Sequence, residues 1–568
     1  MAYFPQYFAR NLVHGLHFRN VRGDCFGGIT AAIVALPLAL AFGVSSGAGA
    51  IAGLYGAISV GFFAALFGGT PSQISGPTGP MTVVMGTVFV AVTAANPDNG
   101  LAIAFTVVML GGLFQILFGI LQIGKYVTLM PYTVISGFMS GVGIIIILIQ
   151  LGPFLGHPSS ANVVESLTNL PSHIYHFNQQ ALGLGLLTLL IVFGMPRRLN
   201  QIIPSPLLAL IIGTAVSVVA LPDAAVPRIG DIPTGLPSLH LPVIELSQLK
   251  TILGYGLMLG ILGSIDSLLT SLVADNITQT QHDSDRELIG QGIGNLISGL
   301  CGGLPGAGAT MRTVVNVKAG GRTPLSGIIH ALLLLFIVFG AGELTEAIPH
   351  AVLAGILIKV GIDIIDWSFL KRAHHVSLKA AGIMYGVVLL TVFVDLITAV
   401  AVGVFVANML TLKRLTDFQI ESIKTISDGS NDRILNDEER YLLHHSKGKI
   451  LLFHLSGPMS FGAAKAISQQ LSLVRAYDVL ILDLGEVPQL GVTASLAIEN
   501  MVKEANNNYH DVYIVGATGE ARDRLHRLHV FDRIPPQHIV MNRLEALQQA
   551  SDTIAHPRIE RRAKIPMT

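Results

Sequence analysis

From Leu101 to Ile123 the chain runs twenty-three residues without an Asp, Glu, Lys or Arg, and comparable apolar runs occupy residues 26–45, 48–69, 134–151, 327–342 and 379–394. A helix needs about 20 mostly apolar residues to cross a hydrocarbon core roughly 30 Å thick. Only helices and closed barrels satisfy their backbone donors and acceptors in lipid, and a barrel would alternate apolar with polar residues. These runs do not alternate. They predict a polytopic helical membrane protein of about eleven to fourteen spans. The count turns on short segments near 71–90 and 299–317 that glycine and proline interrupt.

Composition agrees: 51% of residues are hydrophobic and 12% charged, about half the ~25% of charged residues in soluble proteins. Thirty-five basic residues balance thirty-five acidic ones, so net charge points to no nucleic-acid partner. Cys25 and Cys301 sit in or beside apolar or glycine-rich segments and read as small buried hydrophobes, with no disulfide or zinc spacing. The absence of a Walker motif, nucleophile elbow or HExxH argues against an ATP-driven pump or a hydrolase. The expectation is a non-enzyme without a cofactor.

Loops kept in the cytoplasm collect Lys and Arg. Arg19, Arg22, Lys125, Arg197, Arg198, Lys371 and Arg372 fall on one side of the spans, whereas the connections from Gly152 to Leu182 and around Glu343 carry no Lys or Arg and face outward, the long connection around Arg228 and Lys250 being a mild exception. The start of the chain lacks the apolar core of a signal peptide, so the N-terminus is expected to stay inside. After Leu412 the composition turns polar, and from Lys449 strand-like runs (KILLFHLSG, DVLILDL, DVYIVGA) alternate with amphipathic ones (AAKAISQQLSLVRA, TASLAIENMVKEAN). That alternation reads as a small α/β domain. The expected organisation is a cytoplasmic segment 1–23, a membrane domain 24–414, a linker 415–447, a soluble domain 448–552 and a basic disordered tail 553–568.

Paired broken segments in two halves of a membrane chain point to a midplane site. The first, QISGPTGPM, sets Ser75, Gly76, Pro77 and Thr78 before an apolar run; the second, GAGATMRTVVN, sets Gly308 and Ala309 before Thr310, Met311 and Arg312. A half-helix beginning at such a break carries free amides and partial positive charge, a natural anion seat. Arg312 adds a full charge within one turn of the second start, and an intramembrane arginine faces a cavity or a partner. Asp266 interrupts another apolar run, with Thr270 on the same helix face. Three roles stay open for Asp266: ion pair to Arg312, proton carrier, or ligand for sodium, which hard oxygen donors suit. Asp395 reads as a helix cap, and Asp363 and Asp366 beside Trp367 as interfacial residues.

Together QISGPTGPM, MPYTVISGFMSGVGI, DSLLTSLVAD, ELIGQGIGN, GAGATMRTVVN and DIIDWSFLKRAHHVS resemble the SulP (sulfate permease) family of anion transporters over nearly the whole chain, most of all its bicarbonate-carrying cyanobacterial members. The resemblance implies fourteen transmembrane helices in a 7+7 inverted repeat of core and gate domains, a homodimer, and a C-terminal STAS domain. It implies secondary transport of small inorganic anions, bicarbonate or sulfate, by elevator-like alternating access. The anion would be bound by Ser75, Gly76, Pro77, Thr78, Ala309, Thr310, Met311 and Arg312. A coupling Na+, the one metal expected, would be held by Asp266, Thr270, Gly308 and Thr310. A guanidinium a few ångströms from that cation would oppose sodium by roughly 4 kcal/mol at an effective dielectric near 20. Coupling to H+ on Asp266, or anion exchange, therefore stands beside sodium symport. Dicarboxylate transport by the same fold, and a non-transporting sensor or scaffold acting through the STAS domain, are the alternatives. The serine phosphorylated in bacterial anti-sigma antagonists has no counterpart here, its place holding Val492 with Thr493 beside it.

Overall fold

The computed structural model describes residues 13–160, 162–196, 199, 203–221, 226–230, 237–340, 346–428, 434–460, 462–467 and 477–555. Arg197, Arg198, the connection at Glu343, residues 1–12 and the tail from 556 lie outside the described residues. The chain divides into two compact units, Met1–Ala407 and Asn408–Thr568.

The first unit opens with α1 (Val21–Ser45) and α2 (Ala50–Phe67), then a two-residue strand β1 (Ser75–Gly76) and α3 (Gly79–Ala95). There follow α4 (Gly100–Ile120), α5 (Tyr132–Phe154), α6 (Val163–Tyr175), α7 (Gln179–Gly194), α8 (Ser205–Val219), α9 (Leu249–Thr278) and α10 (Ser284–Leu300). A second short strand, β2 (Ala307–Gly308), leads into α11 (Thr310–Lys318), α12 (Pro324–Gly340), α13 (His350–Ile364) and α14 (Leu378–Phe393), and the chain passes from the first unit to the second within α15 (Leu396–Glu421). Among the described residues six helices are long and apolar enough to cross a bilayer, or seven if the bent pair α6–α7 is one span. The apolar helices α3, α8, α12 and α14 are shorter, and such short helices blur any count made by length. The connection Gly152–Leu182, expected to face outward, is not simple loop: Asn162 accepts from Glu165 N at 2.8 Å and starts α6 there. Asp395 is a cap, its Oδ1 accepting from Thr398 N at 2.8 Å.

Lipid supplies no hydrophobic drive between spans, so small residues set how closely helices pack. A Cβ on Gly112 of α4 would lie 2.5 Å from the carbonyl of Gly292 on α10, and one on Gly292 as close to that of Gly112. Helices α5 and α13 touch in the same reciprocal way through Gly143 and Gly361. Both contacts bring backbone against backbone.

The second unit is an α/β fold. Its sheet runs in the order β3 (Ile423–Ile426), β4 (Ile450–Ser456), β5 (Val479–Glu486), β6 (Asp511–Val515), β7 (Ile539–Val540), with β3 antiparallel and the others parallel. The polar stretch expected to be a linker supplies that edge strand and α16 (Asp437–His445), which Asn436 and Glu439 start with a capping box. Helices α17 (Val492–Asn507) and α18 (Gly519–Arg527) cover one face of the sheet, while α16 and α19 (Arg543–Ala555) cover the other.

On the α16–α19 face, Asp483 Oδ2 accepts from His454 Nδ1 at 2.8 Å and Arg543 Nη1 at 3.1 Å. Arg543 also grips Glu439 with Nε at 2.9 Å and Nη2 at 3.1 Å. Burial alone would raise the Asp483 carboxyl, but the bonds from His454 and Gly485 N and the charges of His454 and Arg543 outweigh it and hold it below the ordinary carboxylate range. A depressed acid contributes stability above its unfolded pKa of about 3.9 and loses it as pH falls through the lower folded value. The second unit is therefore expected to lose stability below about pH 4. Asp483→Asn should flatten that fall in denaturant titrations followed by circular dichroism.

Candidate functional site

Strands β1 and β2 pair antiparallel, Ser75 opposite Gly308 and Gly76 opposite Ala307. Ala309 N donates to Ile74 O at 2.8 Å, and Ile74 N to Thr313 Oγ1 at 3.0 Å. The two breaks in the spans are thus bonded to each other, and α3 and α11 start beside that ladder. Neither start has a side-chain cap, Thr78 and Ala309 being the N-cap residues. Pro80 in the first turn of α3 sacrifices no bond, since its amide would have no partner there. Two helix N-termini with uncapped amides therefore meet at one place, each contributing partial positive charge.

Arg312, only 2% exposed, reaches across the ladder. Its Nη2 donates to Pro77 O at 2.6 Å, the one hydrogen bond it makes among the described residues. Gly76 has φ +150°, and a Cβ there would stand 2.8 Å from Nη1. That position needs glycine on both counts. Asp266 is 7% exposed, and among the described residues neither its Oδ2 nor Thr78 Oγ1 lies within hydrogen-bond distance of a partner, although the two are polar neighbours. Asp266 and Arg312 line the same cavity, and among the described residues no hydrogen bond joins them directly.

That cavity holds about 820 Å³. Of the expected anion residues, Pro77, Thr78, Ala309, Thr310, Met311 and Arg312 line it. Ser75 and Gly76 do not, and the Ser75 hydroxyl instead accepts from Gln291 Nε2 at 2.6 Å. The expected cation residues lie together. Thr270 Oγ1 donates to Gly308 O at 2.9 Å and is 2.8 Å from Thr310 Oγ1, while Gly308 N donates to Ser267 Oγ at 3.0 Å. Among the described residues no cluster of His, Cys, Asp and Glu has metal-binding geometry, and Cys25 and Cys301 are free.

Sequence reasoning missed the scaffold behind the seat. Buried Glu287 accepts four bonds: from Gly69 N and Thr70 N at 2.9 Å each, Gln73 Nε2 at 2.7 Å and Gln291 Nε2 at 2.8 Å. Asn295 pins the second break, accepting from Gly306 N at 2.7 Å and donating to Gly306 O at 2.8 Å and Gln115 Oε1 at 2.7 Å. A lone acid four residues from Gln291 in the glycine-rich run ELIGQGIGN was a visible signal. Lys359 and Asp363, paired one turn apart on α13, also line the cavity, so Asp363 is more than an interfacial residue.

A membrane unit of interrupted helices around a buried arginine, followed by an α/β unit, is the architecture of a multi-pass transporter. The pattern of the Sulfate permease family matches residues 21–387 and that of the STAS domain residues 441–546; the chain belongs to the sulfate permease family. It is 55% identical over 544 residues to the bicarbonate transporter BicA of Picosynechococcus sp., covering 95% of this chain and 96% of that one. It is 29% identical over 538 residues to a putative sulfate transporter, YvdB, of Bacillus subtilis, covering 92% and 97%. Among solved structures, the transmembrane domain of a cyanobacterial BicA matches with a TM-score of 0.64 and 58% identity, covering 68% of this chain and 98% of that chain. Murine Solute Carrier 26 family member A9 shares the fold at 18% identity, with a TM-score of 0.82 over 96% of this chain and 95% of that one.

Proposed function

We propose that this chain carries small inorganic oxyanions, bicarbonate or sulfate, across a bacterial inner membrane, with its N-terminus and STAS domain in the cytoplasm. Its fourteen spans would form a 7+7 inverted repeat of core and gate domains, assembled as a homodimer and moving by elevator-like alternating access. The observation that carries this is Arg312, buried where two uncapped half-helices meet and lining an 820 Å³ cavity. Preorganised donors in a low-dielectric cavity hold an oxyanion without reorganising. Support for bicarbonate comes from the 55% identical relative named for it, and for sulfate from the more distant one.

Charge balance supports coupling to a cation. Arg312 and Asp266 cancel, so an anion bound alone leaves the seat with a net negative charge, which is costly away from water. A sodium ion at Asp266, Thr270, Gly308 and Thr310 would restore neutrality. Without the anion, Arg312 would repel that sodium by roughly 4 kcal/mol at an effective dielectric near 20, so the two ions bind well only together. A proton on Asp266 serves the same balance.

Purified protein in liposomes, given labelled bicarbonate, sulfate or fumarate under separate sodium and pH gradients, tests this. Uptake of an inorganic anion should follow one of the two gradients, and Asp266→Asn should remove that dependence. Flux indifferent to both gradients would reject cation coupling, and preference for fumarate would reassign the chain to dicarboxylates. No flux for any anion would favour the scaffold role.

A further inference from the structure

Helix α13 ends at Ile364 and α14 begins at Leu378, and between them the chain makes two single turns, Trp367–Leu370 and Ala373–Val376. Both flanking helices are apolar, so this connector surfaces at the depth where hydrocarbon gives way to headgroups, the level that tryptophan favours. It is tied down there. Tyr385 Oη donates to Leu370 O at 2.9 Å and Trp367 Nε1 to Ile362 O at 2.8 Å. Phe369 and Leu370 pack on the buried Ala373, Ala381 and Met384.

The acid of this connector is spent within the protein. Asp366 accepts from Tyr132 Oη at 2.8 Å, Ser136 Oγ at 2.7 Å, Ser368 Oγ at 2.9 Å and Phe369 N at 3.1 Å. The next acid along the chain is Asp395. Lys371, Arg372 and Lys379 are exposed, and among the described residues no carboxylate pairs with them. Arg372 is nonetheless placed: its Nε donates to Ser368 O at 2.9 Å, so Asp366 sets Ser368 and Ser368 sets the guanidinium. On the same short stretch Trp367 is 48%, Val376 69% and Leu378 81% exposed. Free phosphate would answer the cations and leave those apolar surfaces bare. A phospholipid answers both, its headgroup meeting the cations and its acyl chains the apolar side chains.

We propose that the connector between α13 and α14 binds an anionic phospholipid, its headgroup drawn to Lys371, Arg372 and Lys379 and its acyl chains lying against Trp367, Val376 and Leu378. Basic side chains at a membrane surface attract anionic headgroups, and here the unpaired cations outnumber the acids three to none once Asp366 is taken up by its own donors. The site depends on charge and exposed apolar surface beside the spans, and is independent of which anion the protein carries.

The chain has one tryptophan, Trp367, and it lies in the connector, so its fluorescence reports on this site alone. The test places the full chain in phosphatidylcholine liposomes and compares quenching by phosphatidylglycerol and by phosphatidylcholine, each brominated high on its acyl chains. Trp367 should prefer phosphatidylglycerol by roughly fivefold or more, the effect of about one Lys or Arg near a membrane surface. Lys371→Gln/Arg372→Gln/Lys379→Gln should bring the two lipids level, whereas Lys413→Gln/Arg414→Gln, on α15, should leave the preference unchanged. Equal quenching by both lipids in the parent, or none by either, would overturn the proposal. So would a preference that survives the triple variant or is lost equally in the α15 variant. Loss of the preference to millimolar inorganic phosphate at constant ionic strength would assign the cations to a free anion and remove the lipid. If the triple variant does not fold, salt decides on the parent: at about 1 M, where charges are screened beyond about 3 Å, the preference should vanish, and its persistence would overturn the site.

Discussion

Arg312→Ala is expected to abolish anion uptake at micromolar to low millimolar substrate while leaving a folded protein. The guanidinium is the positive charge buried at the seat, and its bond to Pro77 O is what ties it to the first break. Truncating one member of a buried, hydrogen-bonded charge site costs about 2–5 kcal/mol of binding, or roughly one and a half to three and a half decades of affinity. The loss should appear in KM first, because the amides of both half-helices remain. Arg312→Lys keeps the charge but not the planar fork of donors, so it should recover part of the affinity. Removing the arginine also leaves Asp266 without its counter-charge. Arg312→Ala/Asp266→Asn should therefore be better folded than Arg312→Ala alone, and still inactive. Titration calorimetry with sulfate, run beside liposome uptake, reads both effects. Unchanged sulfate affinity in Arg312→Ala would place the anion elsewhere.

Glu287→Ala is expected to do what no substitution in the seat does, which is to prevent the membrane unit from assembling. Four donors converge on this carboxylate, two of them backbone amides at the start of the first break. Each donor left buried without a partner costs about 1–3 kcal/mol. Four together approach the whole net stability of a typical protein, about 5–15 kcal/mol. Glu287→Gln keeps the shape but turns an NH2 group toward donors, so it should rescue only in part. Asp266→Asn is the contrast: it takes the counter-charge from Arg312 but strands no cluster of donors, so its thermal midpoint in detergent should fall far less than that of Glu287→Ala. A Glu287→Ala protein with the parent's thermal midpoint would remove the carboxylate from its place as keystone.

These two residues mark what could be read from the sequence. Apolar runs announce spans because lipid imposes their length, and Arg312 and Asp266 stand out because a charge inside such a run is rare. The two breaks are visible for the same reason, glycine and proline being conspicuous between apolar stretches. Glu287 drew no notice, because its meaning lies in donors more than 200 residues away in sequence, Gly69, Thr70 and Gln73. Ser75 was placed in the seat by its position in the motif, yet the ladder turns its hydroxyl toward Gln291. Strand β3 hides in polar sequence because an edge strand that pairs on one side need not be apolar throughout.

The two-residue ladder between β1 and β2 has one more consequence. Because Ser75–Gly76 and Ala307–Gly308 are bonded to each other, Thr78 and Ala309 cannot shift independently, and Arg312 fastens the same two segments a second time. On the transport function proposed above, the seat would be a cup of fixed shape, offered to either compartment unchanged and equally able to take up or give up its cargo. Net movement would then follow the gradients of anion and coupling ion, and would reverse when they are reversed.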